Sequence, residues 1–185
     1  MTALQITALG FSLGLGAAAF AATGRWWPAL GCWLGSRVVD GLDGTVARLE
    51  GATARGGFLD LIADFTVYAA FIAGVAVAIP DARLAAVVLL CTYYVSGAAF
   101  LAWSGLAAEM RLERTGEGLE LDDDRTVRFV GGLAEGFETI VAYSLVCLVP
   151  EQAELVLWAF AGLVGVTALQ RVTFAIADLG RVRSN

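Results

Sequence analysis

Asp40-Gly41-Leu42-Asp43-Gly44-Thr45-Val46-Ala47-Arg48, continued at Gly56, Asp60 and Asp64, sets four carboxylates, an arginine and several glycines between two long apolar runs. Ionised side chains beside a membrane segment are costly unless paired or hydrated, so such a cluster points first to function. Asp40 and Asp43 are three residues apart and share a face if helical. Asp60 and Asp64 are four apart and do the same. The link between the pairs is short, so the two helices should be antiparallel neighbours with carboxylates converging on one point. Like charges gathered in this way need a compensating cation. Small residues at Gly44, Ala47 and Gly56 leave room for a ligand against the helix backbone. Arg48 supplies a fork that can grip phosphate through two bonds.

The flanking composition fixes the fold class. The 185-residue chain is 58% hydrophobic and 16% charged, against about 45–50% and about 25% for a soluble domain. The apolar residues fall in blocks of roughly 18–25, the length of a membrane-spanning helix. The expectation is an all-α integral membrane protein with six transmembrane helices, forming a single domain over 1–185. The spans are read as Ile6 to Ala22, Ala29 into the aspartate stretch, Gly57 to Ile79, Leu84 to Ala107, Val130 to Pro150, and Leu155 to Ala177. Between the first two, Gly24-Arg25-Trp26-Trp27-Pro28 reads as a turn with interfacial tryptophans. Leu49 to Arg55 reads as a polar link, Pro80-Asp81 as a turn, and Glu109 to Arg128 as a solvated loop, in part helical. The first run lacks a basic n-region and a cleavage site, and reads as a retained helix.

Six spans put both termini on one side. Arg48, Arg55, Arg111, Arg114, Arg125, Arg128, Arg181 and Arg183 fall in the tails and loops of that side, and only Arg25 and Arg83 on the other. The positive-inside rule makes the first side cytoplasmic. The aspartates therefore line a polar cavity facing the cytoplasm, and the expected location is the bacterial inner (cytoplasmic) membrane. No nucleic-acid partner is expected.

The chemistry available is narrow. The chain has no histidine, and all of its basic residues are arginine, which disfavours imidazole metal sites and Ser-His or Cys-His catalysis. Carboxylates suit hard cations such as Mg²⁺ or Mn²⁺. Cys32, Cys91 and Cys147 lie singly in apolar runs and read as packing residues. Arg37 lies one turn before Asp40 and is placed to orient it by an ion pair.

The stretch as a whole, D-x-x-D-G-x-x-A-R, seven residues, then G-x-x-x-D-x-x-x-D, resembles the signature of the CDP-alcohol phosphotransferase (class I phosphatidyltransferase) family. That resemblance implies two divalent ions on Asp40, Asp43, Asp60 and Asp64, with Asp64 also the general base for an acceptor hydroxyl. It implies a nucleotide site shaped by Gly44, Ala47, Arg48 and Gly56, with Thr7 of the first span near the cytidine. The donor would be a CDP-linked lipid such as CDP-diacylglycerol, the acceptor a small alcohol, the by-product CMP, and the assembly a homodimer in the lipid bilayer.

The acceptor is less legible. The chain lacks the lysine-containing element often seen in enzymes making phosphatidylglycerol phosphate. Glu135 and Glu138 resemble an A-E-x-x-E element of members that handle inositol phosphates. Pairing with Arg128 or Arg37 is the alternative reading of these two acids. Arg128 and Arg171 are candidates to hold a phosphorylated acceptor; Arg171 interrupts an apolar helix and should face the bundle. Two other classes stay open at this point. A channel or transporter selecting a divalent cation would need a ladder of acids through the spans, and the acids gather at one end. A non-catalytic scaffold would tolerate loss of the motif, and all four aspartates and Arg48 are intact.

Overall fold

In the computed structural model the backbone is described for residues 3–50, 53–115 and 136–182, and the side chains for residues 5–41, 53–110 and 136–179. Among the described residues there are six α-helices: α1 (Ala3–Ala22), α2 (Trp26–Glu50), α3 (Ala54–Ala78), α4 (Arg83–Thr115), α5 (Gly136–Leu148) and α6 (Ala153–Val182). Short 3-10 turns, Pro80–Ala82 and Pro150–Gln152, precede α4 and α6.

The helix ends follow from local chemistry. α1 closes on Gly24, which takes a φ of 69°. Its amide donates to the Ala21 carbonyl at 2.9 Å, and that of Arg25 to Phe20 at 2.9 Å. This left-handed closure is one that glycine makes without steric cost. The turn is therefore shorter than expected. Trp26, Trp27 and Pro28 belong to the first turn of α2, where the missing proline N–H would have had no helical partner anyway. α3 starts on Thr53, whose hydroxyl accepts from the Gly56 amide at 3.1 Å. α3 and α5 both end at the residue before a proline, Ile79 and Val149, in non-helical backbone, as the clash with the proline ring requires.

Several boundaries differ from the sequence expectation. α2 runs through Leu49 to Glu50 and α3 begins at Ala54, so the polar link shrinks to three residues. α4 continues to Thr115, carrying helix into the stretch read as a loop. In both cases hydropathy marks where the apolar face stops, whereas the hydrogen-bonded backbone runs on.

α1 packs along both α2 and α3, and α4 packs along α6; α5 bridges α2 and α6. The α1–α3 contact is close because glycines sit in it: a Cβ on Gly74 would lie 2.5 Å from the Ala18 carbonyl oxygen. Small residues of this kind are how helices approach without a solvophobic drive between them. α2 and α3, the antiparallel neighbours expected from the short link, meet through long side chains: Arg37 reaches Asp64 at 2.8 Å, and the Trp33 ring lies 5.9 Å from Tyr68 and 5.6 Å from Phe71.

The interior is aromatic, with Trp33, Phe71 and Tyr143 all 0% exposed. Phe71 stacks on Tyr143 at 4.7 Å, and Trp33 lies 4.9 Å from Tyr143. The buried polar groups are Ser36, Ser96, Thr139 and Thr167, while large apolar side chains such as Leu84 (64% exposed) and Leu155 (66%) point outward. Polar groups inside and apolar groups outside suit hydrocarbon as the surrounding medium. Among the described residues four helices are long and apolar enough to cross a membrane, within Gln5–Ala22, Ala54–Ala78, Pro80–Met110 and Pro150–Leu179, and the shorter apolar α5 accompanies them. The molecule is an all-α membrane protein.

Candidate functional site

Arg37 is the centre of the described part of the site. Its side chain is only 8% exposed and packs against the Trp33 and Tyr68 rings, 5.0 and 5.2 Å from their centroids. Cation–π contact with two adjoining rings helps hold the guanidinium in place. From there Nη1 donates to Asp64 Oδ1 at 2.8 Å and to the Tyr68 hydroxyl at 3.2 Å. The same nitrogen lies 3.5 Å from Asp40 Oδ2. Nη2 donates to Ser36 Oγ at 3.0 Å, and Ser36 in turn donates to the Gly10 carbonyl of α1 at 2.8 Å. One cation thus ties α1, α2 and α3 together.

An aromatic wall supports this arrangement. Trp33 donates from Nε1 to the Ile140 carbonyl of α5 at 3.4 Å. The Tyr143 hydroxyl donates to the Tyr68 carbonyl at 3.1 Å. Tyr93 and Thr139 share a hydrogen bond of 3.1 Å across α4 and α5. These bonds fix the rings on which Arg37 rests.

The predicted residues divide into three groups. Asp40 and Asp64, from the two halves of the aspartate motif, are brought to one guanidinium nitrogen. Asp60 lies one turn before Asp64 on α3, partly buried, with Gly56 a turn before it in the capped first turn. Thr7 lies one turn before Gly10. Because a Cβ at Gly10 would touch Val39 at 3.4 Å, Thr7 is level with the aspartates of α2. The backbones of Asp43, Gly44, Ala47 and Arg48 continue α2, while their side chains lie outside the described residues. Glu135 and Arg128 lie wholly outside them.

Two acceptor candidates lie on α5 and α6. Arg171 faces the bundle as expected: Nη1 donates to Ser96 Oγ at 2.9 Å, with the Phe100 ring at 5.4 Å. It therefore joins α6 to α4. Glu138 lines an apolar cleft of about 440 Å³ between α5 and α6, together with Phe137, Leu155 and Phe160.

Among the described residues no three acids are gathered closely enough to hold an ion, a set that leaves out the Asp43 side chain. The donors nonetheless fit a hard divalent ion. They are all carboxylate oxygens, and two of them already converge on one cation from separate helices.

Arg37 is also what sequence reasoning placed incompletely. Its i,i+3 position before Asp40 was visible; its closer partner, Asp64, is 27 residues away.

The chain was compared with known proteins. The family model described as CDP-alcohol phosphatidyltransferase matches residues 1–167. The inner membrane protein YnjF of Escherichia coli K12 is 37% identical over 168 residues, covering 90% of this chain and 79% of YnjF. Among solved structures, the Mycobacterium tuberculosis phosphatidylinositol phosphate synthase PgsA1 with manganese and citrate superimposes with a TM-score of 0.71 at 21% identity, covering 95% of this chain and 82% of that one. The same synthase with CDP-DAG bound gives a TM-score of 0.69 at 20% identity, covering 95% and 86%.

Proposed function

The chain belongs to the CDP-alcohol phosphatidyltransferase family, and from that premise we propose that it moves a phosphatidyl group from a CDP-linked lipid, such as CDP-diacylglycerol, to the hydroxyl of a small alcohol, with release of CMP. The observation that carries the reading is the meeting of Asp40 and Asp64 at Arg37. It joins the two halves of the aspartate motif across α2 and α3.

In this reading Asp64 takes the proton of the acceptor hydroxyl. The freed oxygen attacks the lipid-side phosphorus, a P–O bond to the acceptor forms, and the P–O bond to CMP breaks. Asp40, Asp43, Asp60 and Asp64 would hold two divalent ions, Mg²⁺ or Mn²⁺, which when bound supply neutralisation of the pyrophosphate charge. Thr7, Gly44, Ala47, Arg48 and Gly56 hold the nucleotide: the small residues admit it to the helix backbone and Arg48 grips phosphate. Glu135, Glu138, Arg128 and Arg171 receive the acceptor. A phosphorylated alcohol suits the two arginines, and a polyhydroxyl ring suits the two glutamates.

The arginine distribution favours a site open to the cytoplasm, and the E. coli relative, named an inner membrane protein, favours the bacterial inner membrane. A single domain over 1–185 and a homodimer complete the proposal.

The test is CMP release by the purified protein from CDP-diacylglycerol with Mn²⁺ or Mg²⁺. It is run over glycerol 3-phosphate, inositol, inositol phosphate, serine and choline, with Asp64→Asn as control. Release that requires one alcohol, metal and Asp64 supports the reading and names the acceptor. No release with any CDP-linked lipid and alcohol sinks it.

A further inference from the structure

Arg37 stands outside the aspartate signature, three residues before its first member. Five features make it more than a chance neighbour. Its side chain is 8% exposed. Two adjoining aromatic rings lie against it at 5.0 and 5.2 Å. One nitrogen serves carboxylates from α2 and α3 at 3.5 and 2.8 Å. The other is fixed through Ser36 to the backbone of α1. Its Nε is buried and has no hydrogen-bond partner among the described residues.

Stability alone does not account for such an arrangement. A buried ion pair roughly breaks even against apolar side chains of the same volume, and here one donor is left unsatisfied as well. What the arrangement does achieve is geometric. Among the described residues the Asp64 carboxylate accepts through Oδ1, so Oδ2 is left for chemistry, and the guanidinium that holds it is itself tied through Nη2 to Ser36.

We propose that Arg37 is a positioning residue: a fixed internal cation that orients the Asp64 carboxylate through Oδ1 and balances the charge of Asp40 and Asp64 when no divalent ion is bound. The orienting half of this statement rests on the transferase reading; the charge-balancing half does not. Arg37 is therefore the internal substitute for a divalent cation when none is bound. Arg48, the arginine of the signature, has a different role on the nucleotide.

The test uses the full-length protein in detergent, as wild type, Arg37→Gln and Arg37→Lys. Thermal unfolding is followed in EDTA and in Mn²⁺. Without its internal cation the Gln variant depends on metal for charge balance, so its Mn²⁺-induced rise in Tm should be about twice that of wild type or more, because metal that binds only the folded state stabilises it in proportion to its affinity. The Lys variant keeps the charge and should show a rise equal to wild type. In the CMP-release assay both variants should lose kcat, by about a hundredfold for Gln, with the KM for the donor lipid unchanged. A packing role alone would lower Tm equally with and without Mn²⁺. That outcome, or a Gln variant with wild-type kcat, overturns the proposal. If Arg37→Gln does not fold, the kcat of Arg37→Lys decides: loss of the planar fork must lower it, and a wild-type value refutes the role. If wild-type protein releases no CMP, the transferase reading fails while the unfolding comparison still decides charge balance.

Discussion

Gly74→Ala is the most direct test of how the first three helices are held. Gly74 lies where α3 crosses α1. An added Cβ would stand 2.5 Å from the Ala18 carbonyl oxygen and 3.2 Å from the Ala22 amide nitrogen. Carbon normally approaches a carbonyl oxygen no closer than about 3.3 Å. The helices must therefore part by close to an ångström, since the obstacle is backbone and cannot rotate away. Overpacking of this kind costs about 1–3 kcal/mol. Alanine returns up to about 1 kcal/mol through its better helix propensity. The net loss is up to about 2 kcal/mol, or a fall in Tm of up to roughly 8 °C for a chain of this length. Gly31 is the internal control, because a Cβ there meets nothing within 4 Å; Gly31→Ala should leave Tm unchanged or raise it. The assay is thermal unfolding of the purified proteins in one detergent, together with CMP release. Because α1 also carries the Gly10 carbonyl that anchors Ser36, parting α1 from α3 should reduce turnover as well. Gly74→Ala as stable and as active as Gly31→Ala would refute the close α1–α3 crossing.

Ser36→Ala removes the acceptor of Arg37 Nη2 and the donor to Gly10. Because Ser36 is fully buried, it should cost about 1–3 kcal/mol in thermal unfolding, and Ser36→Thr should recover part of it. Arg171→Met leaves Ser96, 4% exposed, without its 2.9 Å donor. It should lower stability by about 1–3 kcal/mol, and a rise in the KM for acceptor with that for donor unchanged would identify Arg171 with the acceptor. Chelation by EDTA should abolish CMP release, and Mn²⁺ or Mg²⁺ should restore it; native mass spectrometry of the reloaded protein should then count two ions per chain.

The sequence made the fold class legible because the bilayer imposes a length on every apolar run, and no soluble fold produces that many runs of that length. Prolines at 80 and 150 marked the two sharp stops, since proline can only end a helix or start one. What hydropathy could not locate was the far end of α2 and of α4. Past the apolar face, residues such as Leu49 and Glu50 remain good helix formers and the backbone continues. The tryptophan pair was misplaced for the opposite reason: Trp26-Trp27-Pro28 looks like an interfacial turn, yet it is a helix start that tolerates proline.

The short link made α2 and α3 antiparallel neighbours, and their contact runs through long side chains. The glycines Gly10, Gly14 and Gly74 draw α1 close to both, and α2 and α3 meet at Trp33, Arg37, Tyr68 and Phe71. Arg37 could be paired with Asp40 from sequence because helical neighbours are one turn apart. Its stronger bond to Asp64 depends on where α1 sets the two helices, a tertiary property carried by small residues far from the charged motif. These glycines are thus part of the site's geometry, Gly10 also through the carbonyl that accepts from Ser36, Gly14 and Gly74 through the approach they permit.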